Sequence, residues 1–232
     1  MAQGNATSIS IIQQSIEAEE SKVRDRSKQE YGRLWEAYET VCHILSKLAE
    51  QGGSNSDVNP LHGGERLSLT ASLLQSSFIV EPLISSGHYL SSVAILRQQM
   101  EILARIIELR KGLVKNSKAT PNVGLLPFRL SKNYGRLSEI LHTSHGEYLS
   151  CFVEDQESEE VATFLPTYRD EWSRILFSVH IAHLITLAIE IQSLHRELYS
   201  KKDLVNITES FNSIARILVD TGFWETLETN IA

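Results

Sequence analysis

Apolar residues recur at spacings of three and four along most of this chain, the pattern of helices with one buried face. Tyr31, Leu34, Trp35, Tyr38, Val41, Cys42, Leu45 and Leu48 trace one such stripe. It predicts the second half of a long helix over about 8–50, opened by Ser8 or Ser10 and closed at Gly52 and Gly53. The first half differs: Ile9, Ile16 and Val23 repeat every seven residues amid the polar run EAEESKVRDRSKQE. So narrow a stripe cannot fill a core. Residues 8–30 therefore read as an extended arm that pairs with a second copy in a homodimer.

The same periodicity predicts helices over 65–86, 89–111, 131–152, 167–200 and 203–220. Pro82 should kink the first of these, and Gly87 should break the chain before the second. The segment 167–200 is apolar on most faces, through Trp172, Ile175, Leu176, Val179, His183, Leu184, Leu187, Ile191 and Leu194. That marks the central helix. No segment alternates with a period of two over a convincing length. The expected fold is all-α: one domain over 1–232, an antiparallel bundle of about six helices with a long N-terminal helix.

Five prolines and twelve glycines in 232 residues agree with long uninterrupted elements. Cys42 and Cys151 are too few for a disulfide framework or a zinc site, and Cys42 falls among core positions, as a buried reduced thiol would. The N-terminus MAQGNATSIS lacks the basic and apolar segments of a leader. The longest apolar stretch, Ile175 to Ile191, contains His180, His183 and Glu190 and falls short of the roughly 18–20 residues of a membrane span. A cytoplasmic protein without membrane contact is expected.

The net charge of −7 is unevenly spread. No acidic residue occurs from Leu109 to Ser138, where Arg110, Lys111, Lys115, Lys118, Arg129, Lys132 and Arg136 lie. Such a block is either a solvated loop with its helix ends or a phosphate-binding surface for RNA or a nucleotide.

Two sets of polar residues interrupt the apolar stripes. Arg97 and Glu101 are four apart, so they share a face that Val93, Leu96 and Met100 mark as at least partly buried, and they predict an ion pair that fixes helix register or a polar site within the bundle. Tyr134, Ser138 and His142 are also spaced by four, flanked by Leu137, Ile140 and Leu141. If the two faces meet, they form a pocket with an acid, a base and a cation, or a hydrogen-bonded structural network. No metal is expected. Di-iron bundles carry two E-x-x-H motifs, whereas Glu139–His142 is the one here, and the H-x-x-H pair His142/His145 stands beside it. His180/His183 lies on the most buried helix, where core histidines with satisfied hydrogen bonds are commoner than ligands. Nucleophile elbows, catalytic-cysteine signatures and phosphate loops are absent, and no cofactor is implied.

The segment ISSGHYLSSVAILRQQMEIL, a glycine break followed by L-R-x-x-x-E, together with the later Y-x-x-x-S-x-x-x-H, resembles a group of uncharacterised bacterial helical proteins related to the HEPN superfamily. The resemblance covers about residues 84–142. It implies a dimeric helical bundle. Many such proteins are metal-independent ribonucleases of toxin–antitoxin or phage-defence systems, acting through R-x(4–6)-H, while others are inactive or bind nucleotides. Arg136 and His142 match that motif with five residues between them, and Arg174 and His180 share the spacing. On this resemblance His142, Arg136, Arg97 and Glu101 are catalytic candidates, with the basic segment holding phosphate. On the residues alone, a non-catalytic interaction module is expected, and a small-molecule or nucleotide pocket is the third reading.

Overall fold

The computed structural model describes residues 2–51, 58–114, 116, 118–142, 152–153, 163–199 and 207–223, with side chains from residue 9 onward. Among these residues every regular element is helical.

Where the periodicity predicts one helix over 8–50, there are two: α1 (Ala2–Tyr31) and α2 (Arg33–Glu50). The break is Gly32, whose φ of 49° and ψ of −123° place it in a region that only glycine enters without strain. α2 buries Leu34, Val41, Leu45 and Leu48 of the predicted stripe, adds Ala37 and Ile44, and leaves Trp35, Tyr38 and Cys42 half-buried. Along α1 burial fades toward the N-terminus. Val23 and Ser27 are buried, Ile16 is half-buried, and Ile9, Ile11 and Ile12 are exposed. Ser27 Oγ donates to the Ser85 carbonyl (3.1 Å) and Arg24 donates to Ser86 Oγ (2.8 Å), fastening this end of α1 to the turn before Gly87.

The predicted helix over 65–86 is likewise two: α3 (Gly63–Ser77) and α4 (Val80–Ser85). Pro82 has no N–H, and its ring would collide with the carbonyl of Phe78 in a continuous helix. The chain therefore breaks at Phe78 and Ile79, which leaves Pro82 in the first turn of α4, where no intrahelical N–H is needed. Gly87 follows with φ 84°, and a Cβ there would come within 3.3 Å of Pro166 and the Thr167 backbone. Both its backbone angle and its close neighbour require glycine.

α5 (Tyr89–Arg110) and α7 (Asp170–Leu198) run close to their predicted limits, separated by a 3₁₀ turn at Val123–Leu125 and by α6 (Leu130–Leu141). α6 ends where His142 turns extended (ψ 106°), earlier than the predicted 152, and residues 143–151 lie outside those described. α8 (Thr208–Asp220) completes the set, and its predicted start at 203 also lies outside them.

α7 is the central helix, as predicted. It packs against α1 through α6, while α6 leans mainly on α5 and α8 on α2. Asp170 and Glu171 occupy its first turn and His195 and Arg196 its last, matching the helix dipole. Among the described residues two segments, Gly63–Ser85 and Asp170–Leu198, are by length and composition apolar enough to cross a membrane. In the second, 83% of the apolar window is buried inside the bundle.

Candidate functional site

α5 and α6 pack side by side, and Leu96, Met100 and Leu103 of one and Leu130, Leu137 and Ile140 of the other are buried in the same apolar core. That apolar packing sets the register at which the two polar stripes meet. Arg97 Nε donates to Ser138 Oγ (3.0 Å) and Arg97 Nη2 to Tyr134 Oη (3.0 Å). The same Nη2 lies 3.1 Å from Glu101 Oε1, and Tyr134 Oη donates to that oxygen at 2.8 Å. The guanidinium carbon also sits 5.1 Å from the Tyr134 ring centre. One cation, one anion and two hydroxyls thus close a charge-neutral set.

The cluster is not deeply buried: the Arg97 and Glu101 side chains are 36% and 28% exposed. Water screens such a pair, so its net contribution is on the order of 1 kcal/mol rather than that of a desolvated ion pair.

His142 does not join these hydrogen bonds. It stands exposed at the C-terminal end of α6, its backbone N–H donating to the Glu139 carbonyl (3.1 Å). The predicted stripe Tyr134–Ser138–His142 therefore loses its third member, because the helix ends one residue before it. Arg136 points elsewhere again, to Glu171 (3.4 Å) and over the Trp172 ring (4.9 Å) at the start of α7. Two members of the R-x(4–6)-H pair are thus near each other in sequence but engaged separately.

The basic segment splits as well. Arg110 makes a two-pronged pair with Glu190 of α7, Nε to Oε2 at 2.8 Å and Nη2 to Oε1 at 3.0 Å, and Glu190 is almost fully buried. Arg110 is thus committed to a helix–helix tie and turned away from the exposed Lys111, Lys118, Arg129 and Lys132. Lys115 lies outside the described residues. Cys42, expected in the core, is half-buried, and burial raises its thiol pKa.

Three features escape sequence reading. Arg66 is almost fully buried and forms a two-pronged pair with Glu197 (2.6 and 3.0 Å), whose carboxyl that guanidinium holds below its usual range. A polar relay crosses the core: Gln99 Nε2 donates to Ser76 Oγ (3.0 Å), and Gln99 Oε1 is 3.2 Å from His183 Nδ1. Asn122 N–H donates to Glu108 Oε1 (2.8 Å), anchoring the loop after α5. Partners 131 or 84 residues apart have no common helical register, so no spacing rule could have joined them.

Burial lowers the pKa of both His180 and His183 to about 3. No group of three or more metal-ligating side chains occurs among the described residues. Compared with known protein families, with curated proteins and with solved structures, the chain matches none of them.

Proposed function

We propose that this chain is a non-catalytic helical interaction module that pairs as a homodimer through α1, with the Arg97–Glu101–Tyr134–Ser138 cluster holding α6 on α5. The supporting observation is how the cluster uses its polar groups. Arg97 spends Nε and Nη2 on Ser138, Tyr134 and Glu101, and the tyrosine hydroxyl donates to the same carboxylate. A set closed on itself orients helices, whereas a catalytic arginine keeps its donors for charge that develops on a substrate. The partner surface is suggested by Ile9, Ile11 and Ile12, exposed together on the far end of α1.

Light scattering over a dilution series tests the pairing. A homodimer scatters at twice the 26.1 kDa chain mass, and Ile9→Asp with Ile12→Asp should return it to a single chain. A single chain at micromolar concentration, before any substitution, overturns the dimer.

A second reading, an HEPN-like RNA-directed protein, is supported by the exposure of Arg136 on α6 and of His142 just past its end, near the basic loop that precedes the helix. An imidazole can take the 2′-hydroxyl proton as a general base, with arginine against the phosphate. Purified protein is incubated with total RNA and EDTA, alongside His142→Ala. No His142-dependent cleavage and no salt-sensitive RNA binding are expected of an interaction module. Cleavage lost with His142 replaces the first reading by the second.

A further inference from the structure

α2 and α3 both lean on α7 and leave a cavity of about 300 Å³ between them. Tyr38, Cys42, Leu74, Phe78, His180 and Leu184 contribute to its walls. Ala49 and Phe78, both exposed, stand at its edge. The volume lies at the lower end of the range for ligand sites, roughly 300–1,000 Å³. At about 30 Å³ for each water-sized unit it has room for about ten non-hydrogen atoms.

His180 makes this more than a packing gap. It is fully buried, and neither ring nitrogen has a hydrogen-bond partner. Unsatisfied buried polar atoms are uncommon in native folds and are often accounted for by a group not yet in place. His183, one turn away, engages Gln99 through Nδ1 and leaves only Nε2 without a partner, whereas His180 leaves both nitrogens so. A neutral imidazole offers one N–H donor and one acceptor nitrogen. The Tyr38 ring, 5.8 Å from the imidazole, supplies an aromatic wall beside it. Among the described residues no charged side chain lines the cavity, so an ionised ligand would find no counter-charge from them.

We propose that the cavity between α2, α3 and α7 binds a small uncharged molecule, aromatic or branched aliphatic, whose single hydroxyl or amide group pairs with His180. The proposal is independent of the interaction-module reading, since it involves neither α1 nor the Arg97 cluster.

Two probes of equal size decide it: 4-ethylphenol and 4-ethyltoluene, titrated into the full chain by calorimetry. In an apolar hollow without a partner the hydrocarbon binds more tightly, because the phenol must shed water from its hydroxyl. With His180 as partner the order inverts, and the phenol should bind at least tenfold more tightly. His180→Phe keeps the bulk and should abolish that preference. Ala49→Trp, a change at the exposed edge, should weaken both probes while leaving the melting temperature near that of the wild type. Absence of saturable binding, equal affinity for the two probes, or a phenol preference that survives His180→Phe overturns the proposal. Should His180→Phe fail to fold, the wild-type order of affinities and the Ala49→Trp result decide alone.

Discussion

Acidification between pH 7 and pH 5 should cost this protein much of its stability, through two histidines that cannot accept protons while it is folded. His180 and His183 are fully buried in α7, and burial takes each from the usual 6.5 down to about 3. In the unfolded chain both titrate near the ordinary value. Below it, the unfolded state binds protons that the folded state refuses, so stability present above pH 6.5 is lost as the pH falls toward 3. At pH 5 each ring is about 1.5 units below its unfolded value, and one unit is worth about 1.4 kcal/mol. The loss is then about 2 kcal/mol per ring and about 4 kcal/mol for the pair. Against a total stability of roughly 5–15 kcal/mol, that is a large fraction. Urea unfolding followed by far-ultraviolet circular dichroism at pH 7, 6 and 5 measures it. About 1 kcal/mol should be gone by pH 6, before most carboxylates titrate. His180→Phe should halve the acid-linked loss, because it removes one of the two titrating rings and no hydrogen bond. Coincident midpoints at pH 7 and pH 5, or an unchanged pH dependence in the variant, would refute the reasoning.

Two ion pairs that differ in burial should respond very differently to truncation. Arg110→Met strands Glu190, whose side chain is 2% exposed, and should cost about 3–5 kcal/mol, most of it recovered by adding Glu190→Met, as read from the same urea midpoints. Glu101→Ala acts on a pair that is about a third exposed, so about 1 kcal/mol is expected, shrinking further in 1 M salt. A loss for Glu101→Ala as large as that for Arg110→Met would mean that the Arg97 cluster is desolvated in solution.

Periodicity alone determined the helical class, the central place of α7 and the faces that carry Arg97, Glu101, Tyr134 and Ser138. These are local properties: a residue four positions along a helix shares its neighbour's face whatever surrounds it. The meeting of those faces was legible as a condition, since two polar stripes flanked by apolar residues need each other if they are to be buried. Only the tertiary structure decided that α5 and α6 are the helices that bring them together. It also decided where helices stop. Gly32 and Pro82 were visible as residues, but the apolar stripes run straight across both sites, and backbone geometry overrode the stripe. The fate of single charges was the least legible. Arg110 looked like one more cation in a basic block until Glu190, 80 positions away, came within 2.8 Å of it. Helix spacing says which side of a helix a residue takes, and contact between distant segments depends on how those sides are stacked. That stacking places Gln99 against His183 and leaves the nitrogens of His180, three residues away, without a partner.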